Sequence, residues 1–228
     1  MGIKERQERD REAVRRGILD AARDLFVSEG YRNVSIRKIA ERIEYSPAAI
    51  YSYFPSKDDI FFALAEEGFR LLYNTEDGAA LARELSDVAP LDRVRSIFRK
   101  LYAFSRKHPQ YFELMFMDRS VPRISREYER FAFAREMKAH LIEELQACVD
   151  AGDLPRTVDP AIAFRVLSMG VLGVAMMRLG GRLVAPDADA LMRDVLNVAL
   201  HGLQAGVVLE SHADDCLTEE SENDQKAS

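Results

Sequence analysis

The chain has 228 residues, 47% of them hydrophobic and 31% charged, which supplies a sizeable core for one domain or two small ones. The formal net charge of −6 argues at first against a nucleic-acid partner. Residues 210–228 hold seven acids and one lysine, however, so residues 1–209 are neutral and the bases must be sorted by face.

The start of the chain alternates sign, with Lys4, Arg6, Arg9 and Arg11 set among Glu5, Glu8, Asp10 and Glu12. Met1–Arg16 is charged throughout and does not read as a signal peptide. Two readings stay open for Gly2–Glu12: a solvated, frayed helical extension, or an arm that touches phosphates or the minor groove through Arg6, Arg9 or Arg11. A first helix is predicted from about Arg11 to Ser28, with Val14, Ile18, Ala21, Ala22, Leu25 and Phe26 on its buried face and Gly30 ending it. Ser35 caps a second helix whose stripe is Ile36, Ile39, Ala40 and Ile43. The turn falls at Glu44-Tyr45. Ser46 then caps a third helix with Pro47 at its first position, where a missing N–H costs nothing, and Pro55 stops it after Phe54. Two short helices joined by a tight turn describe a helix-turn-helix, and the second would enter a DNA major groove.

That helix offers little to read base edges. Ser46 and Ser52 can donate or accept, and Ala48 and Ala49 can only touch a thymine methyl. Tyr51, Tyr53 and Lys57 suit phosphates, and the Ser35 cap with the first amides of its helix can hold another. Ile50 and Phe54 point inward. Ser56, with Asp59 three residues on, caps a fourth helix from about Lys57 to Tyr73. Its Ile60, Phe61 and Leu64 face the first three helices.

Asn74–Pro90 reads as a boundary, with Asp77-Gly78 as a breaker and a short helical stretch at Ala79–Leu85. An amphipathic helix follows over Leu91–Lys107, broken by His108-Pro109. The apolar cluster Tyr111–Met117 comes next, and then a long helix from Pro122 to about Ala151, ended by Gly152. This middle third is rich in aromatics and methionine. It reads either as a core of adaptable residues or as a cavity between helices, with Tyr102, Tyr111, Tyr128 and His140 as polar tips. Asp159 caps and Pro160 opens a helix to Leu179 whose apolar run, Val166–Met177, is too short for a bilayer and fits a buried helix. The last helix, from about Asp187 to Val208, carries two apolar sides. One is Met192, Leu196, Leu200 and Leu203, and the other is Val195, Ala199, Gly202 and Gly206. So much apolar surface on one pair predicts a homodimer joined as a four-helix bundle, with Gly170, Gly173, Val174, Val195, Ala199 and Gly202 at the interface. After Leu209 the acidic tail lacks periodicity and is expected to be disordered. Cys148 and Cys216 lie far apart without metal-ligand spacing, which points to a reducing compartment, the cytosol.

The segments Ser35-Ile36-Arg37-Lys38-Ile39-Ala40, Ile50-Tyr51-Ser52-Tyr53-Phe54 and Ser56-Lys57-Asp58-Asp59-Ile60, with Ser46 between them, resemble the DNA-binding signature of the TetR family of transcriptional regulators. Ile18–Tyr31 resembles the family's first helix and its Gly-aromatic ending. The resemblance is specific over residues 14–64. Beyond them only helix number and order are similar. It implies an all-α fold of about nine helices, with a three-helix DNA-binding unit in residues 1–56, a helical effector-binding and dimerisation domain in 57–209, and the tail in 210–228. It also implies phosphate clamping by Tyr51 and Lys57, within a DNA-facing set that includes Ser35, Lys38, Ser46, Pro47, Ala48, Ala49, Ser52 and Tyr53. An effector cavity would draw on Tyr73, Phe98, Tyr102, Tyr111, Phe112, Met115, Phe116, Met137 and His140. Two departures concern the turn, the second being Tyr45 where a small-to-medium apolar residue usually follows. The family usually has glycine where this chain has Glu44, and a non-glycine residue in a left-handed conformation costs about 1–2 kcal/mol.

The implied function is a repressor released from its operator by a small hydrophobic effector. No enzyme motif is found, whether a phosphate loop, a nucleophile elbow, HExxH or Cys/His metal spacing, and no cofactor is expected. His140, inside an apolar helix, reads as a satisfied core residue. Cys148 reads as an inert buried thiol. The alternatives are a helical dimeric scaffold and a constitutive DNA-binding protein with no effector.

Overall fold

The computed structural model describes residues 2–73, 88–117 and 132–209. Residues 74–87 of the expected boundary Asn74–Pro90, the start of the long helix at Pro122, Tyr128, the side chain of Tyr73 and the acidic tail lie outside the described residues. Among the described residues there are nine α-helices, one short 3-10 turn and no strand. They are α1 Ile3–Glu29, α2 Ile36–Arg42, α3 Pro47–Tyr51, α4 Lys57–Tyr73, α5 Pro90–Lys107, α6 Pro109–Phe116, α7 Ala132–Asp150, α8 Pro160–Leu179 and α9 Ala185–Gln204. The all-α prediction holds. The chain forms two compact units, Met1–Thr75 with Phe104–Arg135, and Glu76–Ala103 with Glu136–Ser228.

In the first unit the local caps act as the residue types dictate. Ser35 Oγ accepts from Lys38 N at 3.2 Å, Ser46 Oγ accepts from Ala49 N at 3.1 Å, and Ser56 Oγ accepts from Asp59 N at 3.2 Å. Ile18, Ala22 and Phe26 of α1, Ile39 and Ala40 of α2, Ile50 of α3, and Ile60, Phe61 and Leu64 of α4 share one core and are almost wholly removed from water. Tyr31 lies between Phe26 and Phe61, with ring centroids 5.0 Å and 5.7 Å away. Gly68 on α4 lets α6 come close, since a Cβ there would stand 3.3 Å from Tyr111 and 2.3 Å from the Met115 sulfur.

Two helices of this unit have different ends from those predicted. Helix α1 starts at Ile3 rather than Arg11, because its first turns are made of strong helix formers and Glu5 accepts from Gly2 N at 3.0 Å. Helix α3 ends at Tyr51 rather than Phe54. Ser52 Oγ donates back to Ala49 O at 2.7 Å, and both Tyr53 N and Phe54 N donate to Ile50 O, which closes the helix in a tight turn.

In the second unit α8 and α9 pack against each other, and α8 starts at Asp159-Pro160 as predicted, with Asp159 Oδ1 accepting from Ala161 N at 2.7 Å. By length and composition alone α8 could cross a membrane. Its stripe of Ile162, Ala163, Leu167, Val171, Val174 and Ala175 is buried in the fold, which fits the predicted core helix. Helix α9 stops at Gln204, four residues before the predicted end. Gly206, expected on a helix face, instead has φ +75° and forms the stop, with Val207 N bonding to Gly202 O. Arg93 of α5 pairs with Glu144 of α7 at 2.7 Å and donates to Val88 O.

Candidate nucleic-acid interface

The turn between α2 and α3 sets the angle of the exposed helix. Glu44 has φ +59°, the one positive φ outside glycine among the described residues, and Tyr45 N closes the turn onto Ala40 O at 2.9 Å. Glutamate therefore occupies the left-handed position that glycine would take at less cost. Glu44→Gly is expected to stabilise the fold by about 1 kcal/mol, which raises the melting temperature by about 2–4 °C. A calorimetric melt checks this.

Ile50 is the buried residue of α3. Ser46, Pro47, Ala48, Tyr51 and Ser52 are exposed, Tyr51 at 53%, and Ala49 and Tyr53 are half-buried. The outer side of α3 is thus small and hydroxylic. Ser35 is exposed at the start of α2. The two lysines of the predicted set are engaged within the unit. Lys38 forms an ion pair with Glu29. Lys57 Nζ donates to Tyr31 O at 2.9 Å and Val34 O at 3.0 Å and lies 4.0 Å from the Tyr31 ring centroid. Burial lowers its pKa, and Asp58 opposes that shift. Tyr31 in turn donates to Asp58, and burial and that carboxylate together push the phenol's pKa up. Tyr45, the residue that follows Glu44 in the turn, stands exposed next to the Ser46 cap.

The predicted effector residues divide between the units. Tyr111, Phe112, Met115 and Phe116 lie on α6 in the first, and Phe98, Tyr102, Met137 and His140 lie in the second. Tyr111 is buried, its hydroxyl accepting from Arg23 of α1 at 3.3 Å while the guanidinium covers the ring. Phe112 packs against Phe116 at 4.9 Å, and Met115 is buried. A groove of about 260 Å³ lies beside them, lined by Phe26, Val27, Gly30, Glu113, Leu114 and Met117, none of which was predicted. Phe98 is buried, and Tyr102 donates to Asp189 at 2.8 Å. Met137 is half-buried. His140 is not a core residue. The buried stripe of α7 is Leu141, Leu145 and Cys148, and His140, one residue off it, is half-exposed within 4.0 Å of Glu143 and 3.8 Å of Glu144. Cys148 is buried as predicted, and burial pushes its thiol pKa up to about 11.

On α8 and α9 the predicted interface residues also sort by face. A Cβ on Gly170 would stand 2.8 Å from Val195, so these two meet inside the helix pair, and Val174 is buried. Gly173 is exposed, while Ala199 and Gly202 are half-buried. The large apolar side chains left exposed are Met169, Met177, Leu191 and Val198, with Met169 at 63% and Val198 at 73%, and none of these was predicted.

Two capped helices joined by a left-handed turn, set on a core from α1 and α4, define a helix-turn-helix protein of the DNA-binding class. Residues 18–64 match the family profile described as bacterial regulatory proteins, tetR family, and residues 94–199 match the tetracyclin repressor-like C-terminal domain. The chain belongs to the TetR family of transcriptional regulators. It is 43% identical over 70 residues to an HTH-type transcriptional repressor of Mycobacterium tuberculosis, across 31% of this chain and 34% of the relative. It is 26% identical over 151 residues to the HTH-type transcriptional regulator BetI of Rhizobium meliloti, across 65% of this chain and 72% of BetI. The alignment thus spans about a third of the first relative's length. Among solved structures, a TetR/AcrR-family regulator from Thermobifida fusca superposes with TM-score 0.56 at 25% identity, across 83% of this chain and 98% of that one. FadR of Bacillus subtilis in complex with stearoyl-CoA has the same fold, with TM-score 0.68 at 16% identity, across 82% and 97%.

Proposed function

We propose that the protein is a cytoplasmic, non-enzymatic repressor that binds operator DNA as a homodimer and is released by a small hydrophobic effector. The observation that carries this reading is α3, anchored by one buried isoleucine with its small and hydroxylic side turned outward. Residues 1–56 serve DNA binding, and 57–209 serve effector binding and dimerisation. Ser46, Pro47, Ala48, Ala49 and Ser52 meet the major groove, and Ser35, Tyr51 and Tyr53 meet phosphates. Lys38 and Lys57 act mainly as positioning residues, because their ammonium groups already hold Glu29 and the carbonyls of Tyr31 and Val34.

The exposed apolar residues Met169 and Met177 of α8, with Leu191 and Val198 of α9, support pairing with a second copy. Two recognition helices would then read two half-sites whose spacing the dimer sets. The effector acts only as far as it binds one conformer better than the other. Helix α6 supports a coupling role, since it packs on both α1 and α4 and Tyr111 is held by Arg23. That FadR is bound to stearoyl-CoA makes acyl-CoA a first probe.

The test is selection of duplexes from a random pool, followed by mobility shifts at two salt concentrations. A two-fold symmetric site whose binding weakens with salt is the expected result. Failure to enrich any duplex would sink the reading. Thermal shifts with stearoyl-CoA and a panel of hydrophobic compounds test the effector, since a ligand present at about a hundred times its Kd adds about 2.7 kcal/mol of stability.

A further inference from the structure

The core does not require the first half of α1. The helix runs for 27 residues, and Ile18 is the first buried one among its described side chains. Lys4–Ala13 is exposed throughout, and at about 1.5 Å per residue it is roughly 15 Å of helix outside the core. Its side chains are nonetheless organised. Lys4, Arg11, Arg15 and Ile18 are spaced by seven, four and three residues, which places them on one helix face. That face is apolar where it covers the core and net positive where it leaves it. Asp10 lies on one flank, and Glu12, on the other, pairs with Arg15 at 3.6 Å. Glu8, four residues after Lys4 and three before Arg11, lies on the same face, which therefore carries three bases and one acid.

The cationic face is seated on the end of the recognition helix. The Arg15 guanidinium stands 5.3 Å from the centroid of the Phe54 ring, and that of Arg11 stands 5.8 Å from the centroid of Tyr53. Arg15 is half-buried, whereas Arg11 is exposed and has no carboxylate partner among the described residues. A guanidinium held within about 6 Å of an aromatic ring is attracted to it without using up its N–H donors on another polar group. Tyr53 is itself one of the residues assigned to phosphate contact.

We propose that the N-terminal half of α1 is a second, sequence-independent contact to the duplex backbone, with Arg11 as a phosphate ligand held ready by Tyr53 and Lys4 as another further along the same face. This rests on the reading of the chain as a DNA-binding protein. It adds that affinity, not sequence preference, depends on the extension.

The experiment uses the full chain and a duplex selected by the wild type, with affinity measured across a series of potassium chloride concentrations. Arg11→Ala should weaken binding to matched and mismatched duplexes by the same factor and reduce the log–log salt slope by about 0.9, the value for one phosphate contact. Lys4→Ala, far from the core and unable to disturb it, should do likewise, and the double variant should lose about twice as much. Arg11→Lys keeps the charge and should keep the slope. Weaker binding at an unchanged slope in Arg11→Ala would mean that Arg11 only props Tyr53, and would overturn the proposal. So would wild-type affinity and slope in the double variant. Failure of the wild type to select any duplex would count instead against the DNA-binding reading itself.

Discussion

Replacing Ile50 with alanine is expected to destabilise the first unit by about 2–5 kcal/mol and to abolish operator binding. Helix α3 is five residues long and cannot persist by itself. Ser46 holds its start through the bond to Ala49 N, and the turn at Ser52–Phe54 closes its end. Between them only Ile50 enters the core, where it is fully buried. The outward side chains are not touched by the substitution, so any loss of binding reports lost placement rather than lost contact. Ile50→Val removes one methylene, should cost about 0.5–1.5 kcal/mol, and should still bind. Denaturant midpoints and mobility shifts on the same preparations check both variants. An Ile50→Ala protein that binds as tightly as the wild type would show that α3 is positioned by something other than its core anchor.

The parts of the fold and of this interface that sequence made legible are those decided within four residues. Ser35, Ser46, Ser56 and Asp159 each accept from a backbone N–H two or three positions ahead, so residue type and spacing were sufficient. The stripe of α2 was equally local, and Ile36, Ile39 and Ala40 are buried. What could not be read depends on distant chain or on small angular offsets. The partners of Lys57 are carbonyls 23 and 26 residues away, and Glu29 lies nine residues from Lys38. A lysine so placed looks in sequence like a solvated or phosphate-binding one. His140 was misread because one residue on a helix is a rotation of about 100°, enough to move it from the buried stripe to the water-facing edge. Gly170 was read as an interface residue because a small residue in an apolar helix signals close approach. The approach is real, but it is made by Val195 of the same chain. The end of α3 turned on a serine hydroxyl donating back to a carbonyl, which competes with helix continuation and gives no periodic signal.

Lys57→Met should separate positioning from phosphate binding. Methionine keeps most of the apolar stem and removes the ammonium. The carbonyls of Tyr31 and Val34 then lose their donor, and the Tyr31 ring loses the cation on its face. Those carbonyls belong to the link between α1 and α2, so the loss loosens the seat of the recognition helix rather than its surface. Hydrogen bonds from a charged group contribute about 1.5–3 kcal/mol when well shielded, and partial exposure lowers that, so a destabilisation of about 1–2 kcal/mol is expected. Operator affinity should fall with it. The salt slope decides the role. A lysine spent on its own backbone releases no counterion when DNA binds, so the slope should match the wild type within error. A slope lower by about 0.9 would mean that the third N–H of Lys57 reaches a phosphate, and the residue would then return to the set of direct DNA ligands.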